Sequence, residues 1–242
     1  MTVKKRYKYL IFDADHTLLS YKDDEIAALK ALFLEIGLSV TDDALEWCHT
    51  LSEETWTEHG LYDVFSEKIQ REYHALYQSH VKGIFEKFFK KYPCDESPEK
   101  VGKLFLEKLK GRGHLFPYAE ETLRALSGKS GGKYILCVAT NGLKDIQLGR
   151  LCEIAKYFEK IYVSQELKAI KPTAEFFNAM LADLGASADE CLMIGDSLLS
   201  DIYGAASVGM DTCWFNTRGH KKDGETQPTY EINCLNDLVS FL

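Results

Sequence analysis

The sequence predicts an α/β fold in which a doubly wound parallel-sheet core domain carries an inserted all-helical cap domain. A short apolar run at residues 9–12 suits a buried strand, and residues 23–110 show almost continuous helical periodicity. After Pro117, strand-like and helix-like segments alternate. Such alternation is typical of a parallel sheet with helices on both faces, in which ligands bind beyond the carboxyl ends of the strands.

The first strand is predicted from Tyr9 to Asp13, where the apolar run ends in an acidic loop. The helical insert begins soon afterwards, so the sheet domain is discontinuous in sequence. We expect residues 1–18 and 114–242 to form the core domain and residues 19–113 to form the cap domain.

The insert is predicted to contain four helices. Apolar side chains recur on one face of the first helix, and Gly37 stands where that helix would stop. The last helix begins at Ser97, a good N-cap residue, with Pro98 in its first turn. The four helices are predicted to begin near residue 23, at Thr41 (ending near His59), within the aromatic-rich residues 62–91, and at Ser97.

The remainder of the chain alternates between strands and helices. The strands are predicted at residues 134–139, 161–163, 191–194 and 212–215. The helices are predicted from Tyr118, from about Leu143, from Pro172, over residues 198–207 and over residues 235–242.

Composition limits the classes of function. The 242 residues are 45% hydrophobic, carry a formal net charge of −8 and include no lysine- or arginine-rich run, so binding to a nucleic-acid polymer is not expected. The first apolar run is too short for a signal peptide, and no uncharged stretch approaches the ~20 residues of a membrane span. These features predict a cytoplasmic protein without a membrane partner. The seven scattered cysteines are expected to be reduced thiols, and nothing in the sequence favours a particular oligomeric state.

Polar residues follow each of four predicted strands. Because parallel strands bring their carboxyl ends to one edge of a sheet, we expect these side chains to converge. They are Asp13 and Asp15 after the first strand, Thr140 and Asn141 after the second, Lys171 after the third, and Asp196 and Asp201 after the fourth.

These residue types fit phosphoryl transfer through an aspartyl phosphate, in which a carboxylate attacks phosphorus. Mg²⁺ would lie between Asp13, the main-chain carbonyl of Asp15 and Asp196, while Lys171 offsets the remaining negative charge. Asp15 could protonate the leaving oxygen and then deprotonate the attacking water. Thr140 could donate its hydroxyl to a phosphoryl oxygen.

Four segments resemble, in order, the sequence signatures of the haloacid-dehalogenase-like hydrolase superfamily: residues 12–19, 139–142, 171–172 and 195–201. An insert directly after the first signature is what the subfamily with a helical cap shows, and such a cap closes over the site to exclude water. The resemblance implies that Asp13 is the nucleophile, Asp15 the acid/base, Thr140, Asn141 and Lys171 the phosphate ligands, Asp13, Asp15 and Asp196 the Mg²⁺ ligands, and Asp201 the residue that orders a metal-bound water.

A narrower resemblance concerns the substrate. Residues 140–151, together with 164–166 and 211–216, are similar to the house-cleaning nucleoside 5'-monophosphate phosphatases of this superfamily. The implied partner is a small phosphorylated metabolite, a nucleoside 5'-monophosphate. His16 stands where relatives often carry glycine or an acidic residue, and no role is predicted for it.

Several alternatives stay open at this stage. A sugar-phosphate phosphatase or phosphomutase would share the core motifs, and a phospho-accepting signalling module would also place Asp, Thr and Lys at strand ends. A dehalogenase, which attacks carbon and needs no Mg²⁺, is disfavoured because the carboxylate of Asp15, together with Asp196 and Asp201, resembles the phosphotransferase branch of the superfamily. Glycine at residue 195 could be needed for a simple turn at the strand end or to let another group approach the backbone closely. The cap aromatics are expected in the core of the helical domain rather than against a nucleobase, namely Trp47, Trp56, Phe65, Tyr73, Tyr77, Phe85 and Phe88.

Overall fold

The computed structural model describes residues 7–220 and 226–242. A six-stranded sheet with strand order β3-β2-β1-β4-β5-β6 forms its centre, and every neighbouring pair of strands is parallel. The predicted α/β class is confirmed. The strands are β1 (Tyr9–Phe12), β2 (Ile135–Thr140), β3 (Phe158–Val163), β4 (Cys191–Gly195), β5 (Asp211–Phe215) and β6 (Tyr230–Ile232).

The central strand β1 is buried on both faces. Leu10 and Phe12 pack into one hydrophobic cluster, while Tyr9 and Ile11 pack into another, because successive side chains of a strand point to opposite faces. Helices therefore cover both sides of the sheet. They are α5 (Ala119–Leu126) and α10 (Asp237–Phe241) on the first face, and α8 (Ala174–Leu184) and α9 (Gly204–Ser207) on the second.

The remaining elements connect these layers. Two short helices, α6 (Lys144–Arg150) and α7 (Ser164–Leu167), follow β2 and β3, and a π-helix (Leu198–Tyr203) follows β4. Single 3₁₀ turns occupy Gly128–Ser130, Ala155–Tyr157 and Ala188–Glu190.

Four helices follow β1 and pack around another hydrophobic cluster, in which Leu29, Phe85 and Phe105 are almost fully buried. Leu143 and Ile146, at the start of α6, also belong to this cluster. We refer to the four helices together as the helical bundle. Thr41 and Ser97 accept hydrogen bonds from backbone N–H groups as N-caps, as their positions predicted. The bundle consists of α1 (Tyr21–Glu35), α2 (Asp42–Glu58), α3 (Glu67–Lys91) and α4 (Pro98–Leu109).

The chain crosses between sheet and bundle twice, and the two crossings contact each other. The N–H of Phe116 donates to the carbonyl of Leu18 at 2.9 Å, and the N–H of Ser20 donates to the carbonyl of His114 at 2.8 Å. The predicted domain boundaries, after residues 18 and 113, lie in these segments, and the division into two domains stays a prediction.

Element boundaries differ from the sequence predictions in several places. The helix predicted from Pro172 begins at Ala174, because the Thr173 side chain caps it by accepting from the N–H of Phe176. The third strand begins at Phe158 rather than at residue 161, and the short edge strand β6 was not predicted. The helix predicted over residues 198–207 is a π-helix followed by α9. Among the described residues, no helix is long and apolar enough to cross a membrane.

An ion pair joins the first two helices of the bundle. Nδ1 of His49 lies 2.5 Å from Oε2 of Glu25, whose side chain is buried. The hydrogen bond to this carboxylate raises the pKa of His49 above its ordinary value, although burial of the ring opposes the rise. The stability that protonated His49 contributes is therefore fully present below pH ~6.5 and is lost as the pH rises through the raised pKa.

We expect His49→Gln to lower the free energy of unfolding by roughly 1 kcal/mol more near pH ~6 than near pH ~9, the usual order for a partly exposed hydrogen bond to a charged group. Urea denaturation at the two pH values measures the difference. In a Glu25→Gln background the same substitution should show no such dependence on pH. A cost for His49→Gln that is equal at both pH values would contradict the assignment.

Candidate active site

A cavity of about 340 Å³ lies between the carboxyl ends of the strands and the helical bundle. Its walls combine polar residues from the strand ends with aromatic residues from the bundle. All seven predicted site residues line it: Asp13, Asp15, Thr140, Asn141, Lys171, Asp196 and Asp201. The convergence predicted from the strand order is therefore present in the structure.

Lys171 is buried at the centre of the site. Its Nζ donates to Oδ1 of Asp13 at 2.6 Å, to Oδ1 of Asp201 at 2.6 Å and to the carbonyl of Ala139 at 2.7 Å. Burial alone would lower the pKa of Lys171, but the carboxylates of Asp13 and Asp201 raise it above its ordinary value. The lysine is therefore charged in the folded protein.

The side chain of Asn141 fixes the main chain of Lys171. Its Oδ1 accepts from the N–H of Lys171 at 2.8 Å, and its Nδ2 donates to the carbonyl of Lys171 at 3.0 Å. Both polar ends of the amide are thus engaged in placing the lysine. The phosphate-binding role predicted for Asn141 stays a prediction.

Three carboxylates crowd around the lysine. Asp13, Asp196 and Asp201 each present an oxygen within 4.8 Å of the other two. Burial, opposed by Lys171 and reinforced by the neighbouring carboxylates, raises the pKa of Asp13 well above its usual range. Burial followed by the Asp201 carboxylate raises the pKa of Asp196 to about 7. The cluster holds more negative charge than its buried surroundings favour.

Asp201 is itself held at both oxygens. Oδ1 accepts from Lys171, and Oδ2 accepts from the N–H of Ser197 at 3.1 Å. Nε1 of Trp214, on β5, donates to the carbonyl of Asp196 at 2.8 Å and so fixes the loop between the two aspartates.

Gly195 permits the close approach of Asp201. A Cβ atom built at residue 195 would lie 2.3 Å from Oδ2 and 2.6 Å from Cβ of Asp201. Of the two uses considered for this glycine, the structure supports close approach, because its backbone lies outside the left-handed region.

Asp15 contacts two residues for which the sequence predicted no role. Its Oδ1 lies 2.5 Å from Nη1 of Arg150, and its Oδ2 accepts from Nε2 of Gln147 at 2.9 Å. The same Nε2 donates to Oγ1 of Thr140 at 2.7 Å. Gln147 and Arg150 are both buried, and the sequence signal was their spacing of three residues on one face of the short helix α6.

Residues after β3 position α6. The Ser164 hydroxyl accepts from the N–H of Gly142 at 3.0 Å, and Oε1 of Gln165 accepts from the N–H of Lys144 at 2.8 Å. These contacts give a structural reason for the combination of residues 140–151 and 164–166 noted in the sequence.

The sequence also predicted no role for Asp24 and His114. Asp24, in the first turn of α1, accepts from Nε of Arg150 at 2.7 Å at its Oδ2. Its Oδ1 accepts from the backbone N–H of His114 at 2.6 Å and lies 2.7 Å from Nδ1 of the same residue. An acidic residue in a first helical turn has an ordinary explanation in the helix dipole, so it gave no functional signal.

The aromatic residues of the bundle divide between core and cavity. Phe85 and Phe88 lie in the bundle core, and Trp47 packs against it, as predicted. Trp56, Tyr73 and Tyr77 pack within the bundle and also line the cavity, so the expectation of a purely structural role was incomplete for them. Phe65, by contrast, is half-exposed and stacks edge-on against Tyr203 of the π-helix.

Two histidines also line the cavity. Burial lowers the pKa of His80 to about 3, so its ring is neutral, and its Nδ1 lies 2.8 Å from Oγ1 of Thr55. His16 has a left-handed backbone with φ of 61°, and burial lowers the pKa of its ring.

A parallel sheet with buried aspartates and a lysine at its strand ends, beneath an inserted helical bundle, defines a class of hydrolase. The family model for haloacid dehalogenase-like hydrolases matches residues 54–215, and the chain belongs to that family. Its relatives identify it further as a phosphoric monoester hydrolase.

Three relatives are informative. Pyrimidine 5'-nucleotidase PynA of Streptococcus pneumoniae is 30% identical over 239 residues, which cover 98% of this chain and 95% of that protein. Pyrimidine 5'-nucleotidase YjjG of Escherichia coli is 24% identical over 98% of both chains. The crystal structure of the HAD-hydrolase YfnB from Bacillus subtilis bound to magnesium superimposes with a TM-score of 0.81 at 29% identity, over 98% of this chain and 99% of that one.

We expect Gly195→Ala to reduce kcat/KM for phosphomonoesters about 100-fold, because the added methyl group would displace Asp201 and with it Lys171. Gly83→Ala is the matched control, since a Cβ there would meet only ordinary contacts at 3.5 Å or more. Steady-state kinetics and circular dichroism of both variants provide the measurement. Full activity in folded Gly195→Ala would contradict the close-approach role.

Proposed function

We propose that the protein hydrolyses nucleoside 5'-monophosphates in a Mg²⁺-dependent reaction that passes through an aspartyl phosphate on Asp13. The observation that supports this proposal most directly is that Asp13, Asp15, Lys171 and Asp196 line one cavity at the strand ends. The nucleotidase relatives support the choice of substrate.

In the first step, a carboxylate oxygen of Asp13 attacks phosphorus and the bond from phosphorus to the ester oxygen breaks. Lys171 holds Oδ1 of Asp13 at 2.6 Å, which orients the carboxylate and offsets its charge as an anionic ester approaches. Asp15 donates a proton to the departing alcohol oxygen. The products of this step are the alcohol and a phosphorylated Asp13.

In the second step, water attacks the phosphorus of the aspartyl phosphate. Asp15, now ionised, takes a proton from that water, and the Asp13 carboxylate departs with its electron pair. Inorganic phosphate leaves and both aspartates return to their starting states. The hydroxyl of Thr140, buried at the end of β2, accepts from Nε2 of Gln147 at 2.7 Å and donates to the carbonyl of Asn141 at 3.3 Å, and it would turn its proton to a phosphoryl oxygen in either step.

The donor set fits Mg²⁺. Asp13 and Asp196 supply carboxylate oxygens, the ligands that this hard cation prefers, and with Asp201 they place three carboxylates within 4.8 Å of one another. A bound Mg²⁺ would offset their negative charge and polarise the phosphoryl group. Because both oxygens of Asp201 are engaged by Lys171 and the Ser197 N–H, the proposed place of Asp201 is outside the direct ligand sphere.

The cavity has a shape and composition suited to a nucleoside. Its volume of about 340 Å³ falls within the range of ~300–1,000 Å³ common for small-molecule sites. Trp56, Tyr73 and Tyr77 form an aromatic wall on the side of the bundle, in the cavity that the aspartates of the strand ends also line. Stacking on such a wall can contribute ~1–3 kcal/mol per base with little discrimination among bases.

We expect phosphate release to stop in excess EDTA and to return when Mg²⁺ is restored, because charge relief at the carboxylate cluster requires the cation. Asp196→Asn should raise the Mg²⁺ concentration for half-maximal activity about 10-fold or more, since a direct anionic ligand is lost. Titration of phosphate release against free Mg²⁺ measures both effects. Undiminished turnover in EDTA would exclude the metal-dependent mechanism.

We expect kcat/KM for a pyrimidine 5'-monophosphate to exceed that for a hexose phosphate and a triose phosphate by about 10-fold or more. Binding energy from the base can be used to assemble the closed site, whereas a small ester lacks it. The three rates are measured at one Mg²⁺ concentration, with Asp13→Asn as the variant that lacks the nucleophile. A 10-fold advantage (~1.4 kcal/mol) for the hexose phosphate would instead identify a sugar-phosphate phosphatase or mutase.

A matched pair of tryptophan variants separates base binding from general packing. Trp56→Phe alters the cavity wall, whereas Trp47→Phe alters the packing of the bundle away from the cavity. Trp56→Phe should lower kcat/KM severalfold for the nucleotide and leave the triose phosphate unaffected. Trp47→Phe should leave the ratio of the two rates unchanged.

A further inference from the structure

Arg150 is a buried cation shared between two carboxylates from different parts of the fold. It is only 2% exposed. Its Nη1 lies 2.5 Å from Oδ1 of Asp15 at the sheet edge, and its Nε and Nη2 both lie 2.7 Å from Oδ2 of Asp24 in the helical bundle. Burial alone would lower the pKa of Arg150, but the two carboxylates raise it above its ordinary value.

The guanidinium has few ways to rearrange. Nη1 donates to Oε1 of Gln147 at 3.0 Å, and the guanidinium carbon lies 5.2 Å from the ring centroid of Tyr21. Gln147 in turn donates to Oδ2 of Asp15 at 2.9 Å. Both oxygens of Asp15 therefore face side chains of this one helix, Oδ2 through a hydrogen bond from Gln147 and Oδ1 through an ion pair with Arg150.

The backbone at the end of α6 lies very close to the segment that returns from the bundle to the sheet. The N–H of Gly113 donates to the carbonyl of Arg150 at 3.1 Å, and a Cβ at residue 113 would lie 2.6 Å from that oxygen. A Cβ at Gly149 would lie 2.1 Å from the carbonyl of Lys110. The segment that returns from the bundle to the sheet thus packs directly on the end of α6, where Arg150 stands.

We propose that Arg150 is a positioning residue that orients Asp15 for proton transfer and, through Asp24, makes that orientation depend on how the helical bundle is seated. The inference rests on the proposed acid/base role of Asp15. A carboxylate that donates and then accepts a proton must keep a fixed direction toward the leaving oxygen. The planar guanidinium, fixed by its hydrogen bonds to Asp24 and Gln147, places its charge against Oδ1 of Asp15 and so supplies that constraint. Lysine, with a single ammonium group, could not hold both carboxylates in the same geometry.

The experiment measures kcat/KM for a series of para-substituted phenyl phosphates of similar size whose leaving groups need different degrees of protonation. kcat/KM is chosen because it covers the first step, in which Asp15 acts as an acid. The variants are Arg150→Lys, which retains the charge, and Asp24→Asn, which alters the bundle side without touching Asp15. Arg112→Lys is the matched control, because Arg112 is exposed and forms an ion pair at the surface with Glu153 at 2.9 Å.

We expect Arg150→Lys to lose about 10- to 100-fold on phenyl phosphate and only severalfold on p-nitrophenyl phosphate, so that the rate depends more steeply on the leaving group. Asp24→Asn should also make the rate depend more steeply on the leaving group, by a smaller factor. Arg112→Lys should leave that dependence unchanged. Circular dichroism and thermal unfolding identify variants that fail to fold, and a misfolded Arg150→Lys leaves Asp24→Asn to decide the question.

Equal losses across the series in folded Arg150→Lys and Asp24→Asn would overturn the positioning role and indicate a structural one. Asp15→Asn distinguishes this failure from failure of the proposed function. If Asp15→Asn steepens the dependence and the Arg150 and Asp24 variants do not, the inference alone is wrong. If Asp15→Asn leaves the dependence unchanged, the acid role of Asp15 is wrong.

Discussion

The ammonium group of Lys171 balances carboxylates that the fold brings together away from water. Asp13 and Asp201 each lie 2.6 Å from Nζ, and Asp196 stands close by with a raised pKa. Removing one partner from such a buried group leaves an uncompensated charge, which commonly costs ~3–5 kcal/mol. The loops after β1 and β4 and the segment before α8 are therefore tied to one another by the same charges that the proposed reaction uses.

Two buried cations, Lys171 and Arg150, pair with different carboxylates of the site. Lys171 serves the carboxylates at the ends of β1 and β4, and Arg150 serves Asp15 and the bundle residue Asp24. The first pairing lies at the carboxyl edge of the sheet, while the second crosses to the helical bundle. Asp15, the proposed acid/base residue, pairs with Arg150, which also contacts the bundle. This pairing is a physical route by which the position of the bundle could affect proton transfer at Asp15.

The sequence predicted the parallel class, the helical insert and all seven strand-end residues because each depends on local pattern and strand order. Lys171, for example, could be assigned to the site from its place after the third strand. Its burial could not, because that depends on Asn141 holding its main chain and on Asp13 and Asp201 holding its ammonium group. The three-residue strand β6 has too little apolar pattern to predict, since its pairing with β5 defines it.

The sequence by itself determined which chemical groups this protein holds at its strand ends, since a parallel sheet places them at one edge whatever their separation in the chain. Tertiary structure alone decided which charges meet. Asp24 and Arg150 are 126 residues apart, and no periodicity or motif relates them. They pair because the segment that returns from the bundle to the sheet packs against the end of α6, a contact that depends on long-range packing and on glycines that permit it.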